Sequence, residues 1–333
     1  MERSAVLAIV TAVTLVAGVL PVPARAADNV FNDPYRVPAV PRPPTLPELT
    51  HAETEATLEA TGGAILSNGG GDVTHAYVQR FALEVPVGLR RWYVGATYEL
   101  AAADGRTVSG NLELGGRTLW ATPTGLAFGG GVDLIVPTAQ FDPSGPASKT
   151  ALDAASLRPW DVAFFVPDAI GGRPFIDIRA IDGPFVAQFR QALDVVASTR
   201  YPYAARTYAT VGVYIGLWAT REVAAGIEAF ESYAIAAPNV NDSTRAAVVI
   251  SPNVRLLLPW VEPAISAFTN IGTPLQGASD RIWGFRLAFT AVYDPSRALR
   301  VRTKSADDGS PTPGPRAMES PDPAAGDVTG DLN

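Results

Sequence analysis

The sequence predicts an all-β chain: an antiparallel, membrane-spanning β-barrel of about twelve strands, with ten and fourteen as the alternative counts. Three observations carry this reading. Apolar or small residues recur at every second position through the middle of the chain. The candidate strands are much longer than those of soluble proteins. The connections between them alternate between very short and long.

The chain opens with an export signal. Glu2 and Arg3 precede an apolar run from Ala5 to Leu20, and Pro21 and Pro23 end it. Ala24-Arg25-Ala26 offers the small-x-small pattern of a cleavage site, so residues 1–26 are read as a signal peptide. The run is too short for the roughly 20 residues of a spanning helix. No later stretch holds 18 uninterrupted apolar residues, which excludes a helical membrane protein. Residues 27–51 follow as a proline-rich periplasmic leader (Pro34, Pro38, Pro41, Pro43, Pro44, Pro47), a composition that favours extended backbone.

The β-barrel is expected over residues 52–294. In one segment Leu126, Phe128, Gly130, Val132, Leu134 and Val136 alternate with Ala127, Gly129, Gly131 and Asp133. In another, Trp283, Phe285, Leu287, Phe289, Ala291 and Tyr293 alternate with Gly284, Arg286, Ala288 and Thr290. A period of two puts the two sets on opposite faces of a strand. The expected strands are 52–66, 73–86, 89–103, 107–121, 126–138, 174–182, 184–198, 206–219, 222–236, 245–258, 260–271 and 281–293. Soluble strands usually run about 5–6 residues, whereas a tilted strand crossing a bilayer needs about twice that.

With the first strand starting in the periplasm, the connections on that side are very short: Pro86-Val87-Gly88, Thr122 to Gly125, Gly183, Thr220-Arg221 and Pro259. Those on the external side are longer, above all 139–173; only Asp104-Gly105-Arg106 is short. An even strand count leaves both termini periplasmic. Residues 157–167 also alternate, through Trp160, Val162, Phe164 and Val166. They are read as a rim extension or a folded part of the external loop rather than a thirteenth strand. Residues 295–333 close the chain as a disordered acidic tail, without an aromatic residue and with only Lys304 and four arginines nearby.

The two faces of the strands differ in chemistry. One carries Tyr77, Phe81, Trp92, Tyr98, Trp120, Phe128, Phe185, Phe189, Trp283, Phe285, Phe289 and Tyr293 and is read as facing lipid. The other carries charge. Its candidate lumen-lining residues are Arg80, Arg91, Glu99, Glu113, Arg117, Asp133, Asp177, Arg179, Arg190, Asp194, Glu222, Glu228, Arg245, Arg255, Glu262 and Arg286. A soluble barrel would be apolar inside, so this distribution is inverted. Inward charges must be hydrated or paired. They either line a water-filled pore or close a narrow lumen through arginine–carboxylate networks.

Composition narrows the function. Cysteine is absent, which excludes disulfides, thiolate metal sites and a lipoprotein anchor. The formal charge is −7, and loss of the signal peptide with Glu2, Arg3 and Arg25 leaves the rest one unit more negative. Without basic clusters, nucleic acid is not expected as a partner. No catalytic, cofactor or metal site is expected. His51 and His75 stand alone, His75 near a rim, and Glu53 and Glu55 read as a solvated strand face.

Over about residues 52–293 the chain resembles bacterial outer-membrane β-barrels of the porin-like kind. The resemblance is most specific in Ile282-Trp283-Gly284-Phe285-Arg286-Leu287-Ala288-Phe289. That segment is similar to the terminal-strand signal read by barrel-assembly machinery. It departs from the usual pattern in opening on Ile282 and in being followed by Asp294 to Asn333. The glycine-rich run Phe128 to Asp133 is similar to solute-channel barrels. The resemblance implies a Gram-negative outer-membrane protein in contact with lipid, a passive channel or transport-related barrel for small solutes. Two alternatives stand beside it: a structural or adhesive barrel binding a partner through loop 139–173, and a secreted soluble β-protein.

Overall fold

The computed structural model describes residues 54–67, 72–87, 92–122, 125–200, 205–220, 222–237, 245–258, 260–272 and 279–293. The expected signal peptide (1–26), leader (27–51), tail (295–333) and Arg91 lie outside the described residues.

The elements are β1 (Thr54–Ser67), β2 (Val73–Val87), β3 (Trp92–Ala103), β4 (Arg106–Ser109), β5 (Leu112–Ala121), β6 (Leu126–Val136), helix α1 (Pro146–Leu157), a short 3-10 turn η1 (Val162–Phe165), β7 (Ala169–Asp182), β8 (Phe185–Ser198), β9 (Arg206–Trp218), β10 (Val223–Ala236), β11 (Ala246–Leu256), β12 (Val261–Ile271) and β13 (Ser279–Tyr293). Successive strands pair antiparallel. β1 pairs with β13 from Thr54↔Tyr293 to Ser67↔Ser279 and closes the ring. β4 and β5 both pair with β3 and are two halves of one wall strand, so the barrel has twelve strands. Closure leaves no unpaired edge, as a sheet in hydrocarbon requires.

The pleat sorts the side chains as alternation predicts. Leu58, Tyr77, Phe81, Trp92, Trp120, Phe128, Phe185, Ile215, Ile265, Trp283, Phe285, Leu287 and Phe289 are exposed on the outside. Glu59, Glu99, Asp177, Arg179, Glu228 and Arg286 are buried inside. An exposed apolar belt around a charged interior is stable only with hydrocarbon outside, so the barrel is a transmembrane one. No helix among the described residues is long and apolar enough to cross a membrane.

The turns follow their residues. Asp104 (φ 51°) and Gly105 (φ 72°) join β3 to β4 between the facing pair Ala103 and Arg106. Two consecutive positive φ values make a type I′ turn, which Asp-Gly favours.

Two expected strands differ in extent, and one expected loop reading holds. The fourth strand, read as continuous over 107–121, is interrupted at Gly110–Asn111. There the Gly110 amide still bonds Glu99 O (2.8 Å), but the Asn111 amide turns to Phe164 O (2.7 Å). The sixth begins at Ala169 rather than 174, because Ala169 to Gly172 pair with Ser198 to Val195. Residues 157–167 form the end of α1 and η1, the folded part of a loop, and add no strand.

Candidate functional site: the barrel lumen and its folded-in loop

The loop between β6 and β7 was expected outside. Its helix and η1 lie within the barrel. The reason is in its residues: α1 presents Ala151, Ala154 and Leu157, which are buried against the wall, and Val162, Ala163, Phe164 and Phe165 are buried after it. This much apolar surface gains more from burial than from water. α1 packs on the inner faces of β1 to β4 and of β13. Gly63 makes the approach feasible. A Cβ there would lie 2.5 Å from Trp283 O and 2.6 Å from Leu157 Cδ1. Lys149 Nζ ties the helix to the β3–β4 turn through Asp104 (2.7 Å) and also bonds Asp153 (3.0 Å). That hydrogen bond holds the Asp104 carboxyl below the usual carboxylate range.

The chain then crosses the bore. Trp160 packs edge-on against Phe230 of β10 (5.9 Å) and Phe268 of β12 (5.7 Å). Ile65, Ala76, Ala103, Leu157, Val249 and Ile282 complete this apolar cluster. The half of the lumen nearest the long loops is thus filled by a packed core.

Beside the apolar cluster stands a buried ionic one. Arg158, at the end of α1, reaches Glu59, Thr61 Oγ1 (2.9 Å), Glu99 (3.3 Å) and Asp161 (Nε to Oδ2, 3.2 Å). Its guanidinium and that of Arg286 lie 5.4 and 5.2 Å from the Trp160 ring. Burial raises the Asp161 carboxyl, but Arg158, Arg80 and Arg173 outweigh it and hold the group below the ordinary aspartate value.

Asn111 anchors the loop at both ends. Its Nδ2 donates to Ala163 O (3.1 Å) and Val166 O (2.7 Å), and its Oδ1 accepts from Ala139 N (3.0 Å). With the backbone bond to Phe164 O, the break in the wall strand becomes the loop's attachment point.

The other inward charges pair around the wall. Arg173 bridges Glu113 (2.8 Å) and Asp194. Arg190 holds Asp177 with two bonds (2.7 and 2.8 Å) from the directly facing register position. Arg117 Nε donates to Glu84 (2.7 Å). Arg286 meets Glu228 (3.2 Å), Ser251 and Ser266; Arg255 meets Glu262 (3.3 Å); Arg80 lies 3.8 Å from Glu99. Arg179 is fully buried and Asp133 half-buried on the same face.

Two expected lumen residues stand elsewhere. Glu222 is exposed in the β9–β10 turn, where Thr220 Oγ1 caps its amide (3.2 Å), because the strand starts only at Val223. Arg245 precedes β11, and its guanidinium donates to Ala234 O and Ile235 O at the long-loop rim. Conversely Glu59, Thr61, Asn111, Arg158, Asp161 and Arg173 belong to the site without having been expected there. Alternation alone would have found Glu59, Thr61, Asn111 and Arg173; Arg158 and Asp161 lie in the loop, outside the strands whose parity could have placed them.

Toward the short-turn end a cavity of about 140 Å³ remains. It is lined by Glu55, Glu84, Glu113 and Asp133, by Arg80, Arg117, Arg190 and Arg255, and by Tyr93, Phe175, Thr57, Thr97 and Thr290 among others.

No protein-family model and no curated protein matches the sequence. Among solved structures the chain is similar to an outer-membrane channel from Pseudomonas putida F1, with a TM-score of 0.55 and 10% identity over 76% of this chain and 100% of that one. It also aligns with the NanC porin (TM-score 0.47, 9% identity, 71% and 100% covered). At such identity the likeness is one of fold. The chain has the porin-like fold of outer-membrane β-barrels.

Proposed function

We propose that this chain is a passive channel for small solutes in the Gram-negative outer membrane, constricted by its own β6–β7 loop. One observation carries the reading: a charged inner wall encloses a polar cavity at one end, while the loop fills the other half. A barrel serving only as a scaffold has no use for a hydrated interior, whereas ion and solute passage needs one. The adhesive alternative relied on loop 139–173 facing outward, whereas Leu157, Trp160 and Val162 to Val166 are buried. The secreted soluble alternative conflicts with the apolar outer belt.

In this reading the chain is delivered by residues 1–26. Recognition of Ile282 to Phe289 assists its assembly. The first and last strands end together, Thr54 opposite Tyr293, on the short-turn side. That side is the periplasmic one, since short turns face the periplasm in such barrels. The role is transport rather than catalysis. Planar-bilayer recording of purified full-length protein tests it. Small discrete conductance steps are expected, and well-folded protein that never yields a step would defeat the channel.

A further inference from the structure

The cavity at the short-turn end has features that select a ligand class. Four carboxylates and four guanidinium groups line it, so its formal charge is balanced and neither free anions nor free cations are favoured by net field. Arg117 pairs with Glu84, while Arg80, Glu113, Arg190 and Arg255 meet Glu99, Arg173, Asp177 and Glu262 from beyond the lining. In Arg117, Nε and Nη2 are held by Glu84, and the guanidinium lies 4.2 Å over the Tyr93 ring. Its Nη1, on a side chain 7% exposed, has no hydrogen-bond partner among the described residues. A buried guanidinium N–H without an acceptor is a costly group that a ligand carboxylate can satisfy.

Asp133 supplies the opposite charge. Arg117 faces Gly131, and Asp133 faces Gly115, in the β5–β6 register. The two are therefore diagonal neighbours with backbones about 7–8 Å apart on one face. Gly115 makes room for the carboxylate itself, since a Cβ there would lie 2.4 Å from Asp133 Oδ1. Arg173 and Arg190 lie near enough to act on Asp133 by charge, yet neither bonds it; they bond Glu113, Asp194 and Asp177 instead. A carboxylate left to water beside a guanidinium with one free N–H forms a two-point receptor.

We propose that this cavity is a binding site for small zwitterions, molecules that carry a carboxylate and an ammonium a few ångströms apart. The ligand carboxylate accepts from Arg117 Nη1 and its ammonium donates to Asp133. The volume of about 140 Å³ limits the ligand to a few heavy atoms. The inference deepens the channel reading and rests on it for the route by which the ligand arrives.

Glycine and glycolamide test it, because they are isomers of equal mass and only glycine is zwitterionic. Saturation-transfer NMR on the detergent-solubilised full-length chain reads binding without requiring conductance, so failure of the channel and failure of the site are separate results. Glycine is expected to give a signal about tenfold stronger than glycolamide, the scale of one charge-assisted hydrogen bond. Asp133→Asn is expected to bring glycine down to the level of glycolamide, with barrel folding checked by heat-modifiable gel mobility. Equal signals from the two isomers on the unaltered protein would overturn the proposal, and that comparison stands even where the variant fails to fold. An undiminished glycine signal in folded Asp133→Asn protein would overturn it as well.

Discussion

At the scale of the residue, Asn111 and Asp161 decide how firmly the loop is held. Asn111→Ala removes two donors and an acceptor that serve buried backbone groups, each worth about 1–3 kcal/mol when left unmet. The chain has no cysteine, so Ala163→Cys, at a fully buried position, is a clean reporter of loop release. Maleimide labelling of that cysteine is expected to quicken about tenfold or more when Asn111→Ala is added. Labelling that stays equally slow in folded protein would show that Asn111 is not the anchor. Asp161 adds a pH dependence of known sign. Its carboxyl is held below the ordinary value, so its contribution is present above the ordinary aspartate range of about 3.9 and lost only as pH falls through the lower folded value. Conductance is expected to stay level from neutral pH down to that range and to rise below it. Asp161→Asn should abolish the acid step; a step centred well above pH 4 would point to another group.

At the scale of the element, α1 and η1 are held by packing rather than by helix propensity. α1 has no side-chain cap and no acidic residue in its first turn, so little local energy favours it. Its stability comes from the wall. Trp160→Ala would empty the contact with Phe230 and Phe268, at a cost of about 3–5 kcal/mol. Single-channel recording is expected to show larger steps with more frequent flicker, while the barrel itself stays folded. Unchanged conductance would mean that the cluster does not set the constriction.

At the scale of the whole molecule, the inverted distribution of polarity requires a bilayer. Leu287→Arg puts a charge on the outer face of β13, where the midplane cost is about 2–4 kcal/mol. Its neighbour Arg286 sits harmlessly on the inside with Glu228. Leu287→Arg is expected to lower the yield of the heat-modifiable folded band in lipid vesicles, whereas Arg286→Leu spares insertion but leaves Glu228 without that partner. Equal yields for Leu287→Arg and the unaltered chain would argue against a lipid-facing β13.

The sequence by itself determined the barrel: strand periods, lengths and turns are local, and a residue's parity states which face it takes. Twelve strands, the outer aromatic residues and inward charges such as Glu99, Asp177, Arg190 and Arg286 were legible for that reason. Residues at strand ends were not, as Glu222 and Arg245 show, because parity has no meaning once the pleat stops. Only the tertiary structure decided where the β6–β7 loop goes. Its attachment rests on Asn111 meeting residues 139, 163 and 166, and on Arg158 meeting Glu59 and Glu99, contacts between positions far apart in the chain. Such pairings leave no periodic trace. The loop that the sequence placed outside thereby became the part that shapes the lumen.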